Sequence, residues 1–172
     1  YTLGNWTAPD PEANVTTLDA QGQGRVFYIS VAGIPTIAGL YITGGDATGL
    51  DPEECGGGIY AQIQVQIEPQ DTLIADNIIY SNTAYNGGGV YLDQGAGFAL
   101  SGNTIISNTA ERAGGGMAAH GVLITLINNV FAGNNASLGG GLDVEYSDAV
   151  LQGNTFRDNS AGSAGGGVYV FN

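Results

Sequence analysis

A triple glycine followed by an apolar residue recurs along the chain: GGGIY at Gly56, GGGVY at Gly87, GGGMA at Gly114, GGGLD at Gly139 and GGGVY at Gly165. The last four copies begin 27, 25 and 26 residues apart. A second signature, N-x-[IF]-x-x-N-x-A, runs out of phase with the first: NIIYSNTA from Asn77, NTIISNTA from Asn103, NVFAGNNA from Asn129 and NTFRDNSA from Asn154. A degenerate copy, LYITGGDA from Leu40, has Leu and Gly where the two Asn fall, and an acidic insertion near Asp51–Cys55 lengthens the first repeat. A fixed period of this size marks units that bury their apolar faces only by stacking on one another.

Each period has room for short apolar runs and too little chain for a pair of helices. In the second copy the runs are VYL at 90–92, FAL at 98–100 and TII at 104–106, separated by turn residues. This predicts a coil of three short strands per turn, each pairing in parallel with its counterpart one turn on, about 4.8 Å away. The fold class expected is all-β, a right-handed parallel β-helix of about five to six turns of roughly 26 residues. Equivalent positions then form columns. Ile59, Val90, Met117, Leu142 and Val168 make one apolar column, and Ile79, Ile105, Phe131 and Phe156 another. The Asn columns, Asn77, Asn103, Asn129, Asn154 and Asn82, Asn108, Asn134, Asn159, are expected at corners, where Asn tolerates left-handed backbone and its amides bond along the stack.

The chain has 172 residues, which sets one domain, with residues 15–172 as the β-helix and residues 1–14 as an extended N-terminal segment. Gly is 30 residues and Pro 5 with no three-residue period, so collagen is excluded, and 43% apolar content excludes a disordered polymer. Sixteen acidic residues face three Lys plus Arg, for a formal charge of −13, so a nucleic-acid partner is not expected. Membrane insertion is not expected either, because no apolar run approaches the roughly 18 to 20 residues needed to span a bilayer. The chain begins at Tyr1, which suggests a removed leader or a trimmed end. The single Cys, Cys55, reads as a free structural thiol.

The alternation of GG-x-[ILV] with F-x-x-N, as in GGGVY followed by NTIISN or NTFRDN, resembles the repeats of bacterial polymorphic outer-membrane proteins and related β-helix surface proteins. The stretch LDAQGQGRVFYISVAGIPTIAGLYITGGDA looks like the first turns of the same class, so the resemblance covers roughly residues 15–172. It implies a secreted, extracellular or cell-surface location and an adhesin, autotransporter-passenger or structural role. No C-terminal membrane barrel accompanies the repeats, so self-translocation is not implied.

Residues following each GGG stack by alignment into Gln62, Asp93, His120, Glu145 and Phe171. Asp93, His120 and Glu145, with Asp143 alongside, form the best acid–base constellation available, of the kind a carbohydrate-active enzyme needs. The residues favour the plainer reading, a solvated polar ladder on an exposed strand. Lyases of this fold resemble one another in using Lys or Arg, which this chain hardly supplies, so no catalytic role and no cofactor are assigned. Asp51, Glu53 and Glu54 offer oxygen ligands without any recognised calcium-loop spacing, so no metal site is assigned either. Asn5, Asn14 and Asn135 lie in N-x-[ST] sequons open to glycosylation. Threonines are too scattered for an ice-binding face.

The ends carry the remaining signal. GGGVYVFN stops after the first strand of a new turn, and YTLGNWT at the N-terminus loosely matches second strands such as FALSGNT. Tyr1, Leu3, Asn5 and Trp6 are therefore candidate donor residues, and Val168, Tyr169, Val170 and Phe171 the acceptor rung, with APDPEAN at 8–14 as tether. Donation to the next molecule is heterologous and propagates into a head-to-tail filament, making the chain its own partner. The alternatives are a monomeric adhesin that binds surface glycans, and an enzyme.

Overall fold

The computed structural model describes residues 15–31, 35–50, 53–63 and 72–172. Every named strand pairs in parallel with strands one turn away, and the turns build three sheets around one core. The first sheet stacks β1 (Thr16–Asp19), β4 (Leu40–Thr43), β7 (Ile78–Tyr80), β10 (Thr104–Ile106), β13 (Val130–Ala132) and β17 (Thr155–Arg157). The second stacks β8 (Thr83–Asn86), β11 (Thr109–Ala113), β14 (Asn135–Leu138) and β18 (Ser160–Ala164). The third runs β2 (Phe27–Val31), β5 (Ile59–Ile63), β9 (Val90–Ser101), β12 (Met117–Ile127), β15 (Leu142–Glu145), β19 (Val168–Phe171). To it are added β16 (Asp148–Gln152) on β12, and β3 (Thr36–Ala38) on β6 (Thr72–Ala75), which pairs with β9.

Strand pleating sends alternate residues inward, and in-register stacking then fills the core with like on like. Ile79, Ile105 and Phe131 are fully buried in one column, and Ile59, Val90, Met117 and Leu142 in another. Phe156 stacks on Phe131 with ring centroids 4.7 Å apart and planes within 6°.

The division of each turn differs from the expectation. VYL and FAL belong to one strand, β9, so the first two runs share a sheet. The second sheet comes instead from TAYN, TAERA, NASL and SAGSA, segments whose small residues give a weak periodic signal. Ala84, Ala110, Ala113 and Ala136 are the buried residues of this sheet.

The Asn columns also differ in one respect. The left-handed residues are their neighbours on the N-terminal side, among them Asp76 (φ 53°), Ser81 (φ 54°), Ser107 (φ 54°) and Gly153 (φ 67°). The Asn side chains themselves point in. Asn103 donates its N–H and its Nδ2–H to Oδ1 of Asn129, both at 2.9 Å, and a second Nδ2–H to the Ile74 carbonyl at 2.8 Å. Asn77, Asn82, Asn108, Asn129 and Asn134 repeat that pattern onto the Asn one turn on. The positive φ lets the chain turn the corner while the amide stays inside to satisfy buried backbone groups.

The glycine corner has a steric cause as well. Gly114 has φ +64°, and a Cβ on Gly115 would sit 2.6 Å from the Gly140 carbonyl oxygen, against the backbone of the next turn. Successive turns touch backbone to backbone here, which only glycine permits.

Candidate functional site

Pleating of the third sheet turns two neighbouring columns outward. Register places Ser30, Gln62, Asp93, His120, Glu145 and Phe171 in one, and Tyr28, Tyr60, Tyr91, Ala118, Asp143 and Tyr169 in the other. Asp93, His120 and Glu145 thus occupy consecutive turns, with Asp143 on the strand of Glu145.

These groups separate into two pairs, an imidazole–carboxylate contact and an ion pair. His120 Nδ1 lies 3.2 Å from Asp93 Oδ1, and Gln62 donates to Asp93 Oδ2 at 3.4 Å. Glu145 Oε1 accepts from Arg112 at 2.8 Å, and Arg112 also donates to Asn86 Oδ1 at 3.2 Å. Arg112, absent from the expected set, reaches in from β11; its being one of only three Arg is the one sequence signal that marked it. Asp143 is 2% exposed and its Oδ1 has no hydrogen-bond partner among the described residues. Burial, reinforced by the Glu145 charge and opposed by Arg112 and His120, pushes its carboxyl up to about 7.

Aromatic rings flank this row. Tyr28, Tyr60 and Tyr91 form an edge-to-face ladder with centroids 5.2 and 5.5 Å apart, and the Arg25 guanidinium lies 5.5 Å from the Tyr28 ring and 5.2 Å from the Tyr60 ring. Burial raises the pKa of both Tyr60 and Tyr91. At the other end Tyr146 bridges His120 and Phe171, with centroids at 5.7 and 5.6 Å. The Tyr ladder was legible in GGG-x-Y at Gly56 and Gly87 once the register is known.

Of the acidic insertion, Asp51 lies outside the described residues. Glu53 accepts from the Tyr60 hydroxyl through its carboxylate and from Arg25 through its carbonyl. The Glu54 carbonyl takes the N–H groups of Tyr85 and Asn86. Among the described residues no group of three or more His, Cys, Asp and Glu is placed to hold a metal ion. Cys55 is buried beside Asn86, and burial pushes its thiol pKa up. Among the described residues no helix is long and apolar enough to cross a membrane.

Tyr1, Leu3, Asn5, Trp6 and Asn14 lie outside the described residues. Asn135 is exposed on β14 and donates to Ser160 Oγ at 2.8 Å. Val168, Tyr169, Val170 and Phe171 pair with β15, and Val170 and Phe171 are 60% and 46% exposed. Leu151, on an inward position of β16, is 42% exposed, whereas its column mates Leu100 and Leu126 are fully buried.

A family model described as a right-handed β-helix region matches residues 21–172. That match specifies the β-helix; it does not distinguish polymorphic outer-membrane repeats from other members. No curated protein and no solved structure matches the chain.

Proposed function

The chain belongs to the right-handed β-helix family, and on that premise we propose that it is a non-enzymatic structural module of a secreted or cell-surface protein, extended head to tail by rung stacking. The last rung carries this reading. Leu151, Phe156, Val168 and Val170 hold inward positions there without a further strand above them among the described residues. An open parallel edge with apolar residues at core positions is a template for another strand. The nine-stranded sheet ends in β19 on one side and β2 on the other. Phe27 and Ile29 hold the core positions of Val168 and Val170, and Tyr28 stands where Tyr169 does. One molecule's β2 therefore fits another's β19 in the register the sheet already uses, and Tyr1, Leu3, Asn5 and Trp6 are assigned as the donor strand over β16.

Negative-stain electron microscopy of the purified chain tests this. Uniform fibres that disappear on deletion of residues 1–7, with the β-sheet spectrum retained, are expected. Dispersed monomers at all concentrations would overturn it.

A second reading, a monomeric adhesin for surface glycans, is favoured by Tyr28. It is 57% exposed beside Arg25 and lines a surface cavity together with Glu53, Tyr60 and Gln62. An exposed ring next to convergent polar groups suits a sugar face. Glycan-array binding lost on Tyr28→Ala would select this reading.

A further inference from the structure

Asp143 occupies an outward column and yet is buried. Register sets it between Ala118 one turn below and Tyr169 one turn above, and a Cβ on Gly139, at the flanking corner, would lie 2.9 Å from its Cα. Tyr169 belongs to β19, which ends the nine-stranded sheet with no strand beyond it among the described residues. Asp143 is 2% exposed and its Oδ1 is unpartnered, while the nearby guanidinium of Arg112 is already held by Glu145 at 2.8 Å. We propose that Asp143 is a proton-operated latch on the last rung: neutral, it lets β19 close on β15, and ionised, it drives β19 to lift so that water reaches the charge.

The surroundings supply no other way to carry the charge. Facing Asp143 are Glu145 on its own strand, Arg112 from β11, His120 on β12 with Asp93 bonded behind it on β9, and Tyr169 on β19. Two of these are acidic, and the imidazole and the guanidinium each already have a carboxylate partner. A buried carboxylate with no cation of its own is strongly unfavourable, and the least costly relief is to free the strand that is held on one side only. Lifting β19 removes the carbonyls of Gly167 and Phe171, which accept from the N–H groups of Leu142 at 3.0 Å and Tyr146 at 2.9 Å. The closed rung keeps the proton up to about pH 7, and the lifted rung gives it up in the ordinary carboxylate range, near 3.8. Opening therefore releases a proton, so it grows about tenfold per pH unit between roughly pH 5 and 7 and levels off above that. A lifted β19 offers no template, so growth at this end is regulated by the same proton. That regulation rests on the head-to-tail reading; the latch itself does not.

Amide hydrogen exchange followed by NMR on the full chain, below any concentration that gives fibres, reads the latch directly. Corrected for the intrinsic exchange rate, protection at Leu142 and Tyr146 should fall about tenfold per pH unit from about pH 5 to 7 and stay level above that. Val90 and Met117, whose N–H groups donate to the interior carbonyls of Gly116 and Gly141, should show no such slope. Asp143→Asn, which has no proton to lose, should be flat throughout, and His120→Gln should keep the parent slope. Fibre elongation should in turn be faster at about pH 5 than at about pH 7 for the parent chain, and equal at the two for Asp143→Asn. Protection at Leu142 and Tyr146 that ignores pH, falls alike in Asp143→Asn or at Val90, or loses its slope in His120→Gln overturns the latch, whatever the fibres do. The expected slopes with pH-independent elongation would strike the regulation of growth alone. The same slopes with no fibres at any pH would overturn the head-to-tail reading and leave the latch in place.

Discussion

Asn82 gives both its backbone N–H and one Nδ2–H to a single oxygen, Oδ1 of Asn108, each at 3.0 Å. Asn108 in turn gives its own pair to Asn134 and a further Nδ2–H to the Ile79 carbonyl at 3.0 Å. All three side chains are buried, so each amide stands in for water at a corner water cannot reach.

Asn108→Ala is therefore expected to cost more than the one side chain it removes. It leaves the N–H and amide of Asn82 and the Ile79 carbonyl unsatisfied, at about 1 to 3 kcal/mol for each buried group. Urea denaturation should show a loss of about 3 kcal/mol or more. A loss below about 1 kcal/mol would mean that water replaces the ladder.

Two glycines separate steric need from conformational need. A Cβ at Gly115 would press on the Asn135 and Gly140 carbonyls, whereas a Cβ at Gly121, with φ +64°, would have nothing within 4 Å. Gly121→Ala should cost about 1 to 2 kcal/mol, the strain of a left-handed Ala. Gly115→Ala should cost clearly more, because the turns must move apart. Equal shifts in Tm for the two variants would contradict the backbone contact.

Asp143 links stability to pH. Its folded pKa, about 7, lies above the ordinary carboxylate value of 3.8 that the unfolded chain approaches. The folded state therefore holds the proton more tightly, and the contribution is fully present below about pH 4 and lost as pH rises through 7. Three units correspond to roughly 4 kcal/mol as an order of magnitude. Asp143→Asn should be flatter between pH 5 and 8 than the parent chain, measured as unfolding free energy in urea. Parallel curves for the two proteins would refute the assignment.

The stacked pair Phe131 and Phe156 predicts a gradient along the solenoid axis. Phe131→Ala, fully buried, should cost about 3 to 5 kcal/mol. Phe156→Ala, half-buried in the last rung, should cost less, and the difference should shrink under conditions in which that rung is covered.

The repeat was legible because stacking makes each column a repeated vote for the same residue type, as in Ile79, Ile105 and Phe131. The three-sheet outline was less so: alternation within VYLDQGAGFAL does not reveal that the backbone stays in one strand through Gln94, at φ 44°. The Asp93, His120 and Glu145 alignment followed directly from the period. Their partition into separate pairs did not, because it depends on Arg112, contributed by a different sheet. The inward direction of the Asn side chains was hidden for a related reason. Sequence marks a corner, but whether the Asn or the residue before it takes the positive φ is decided by which of the two has a buried carbonyl to satisfy.

The Asn ladder also bears on how such a molecule can change length. Asn103 and Asn129 meet equivalent partners in equivalent geometry, so the stretch 103–128 is a self-contained insert. Excising it joins Gly102 to Asn129 and presents Asn77 with the same acceptor one turn on; duplicating it adds one storey with every amide satisfied. Whole coils can therefore be gained or lost at no conformational penalty, whereas a change of a few residues keeps the later columns in register only when a loop takes it up, as the loop near Glu53–Cys55 does in the lengthened first repeat.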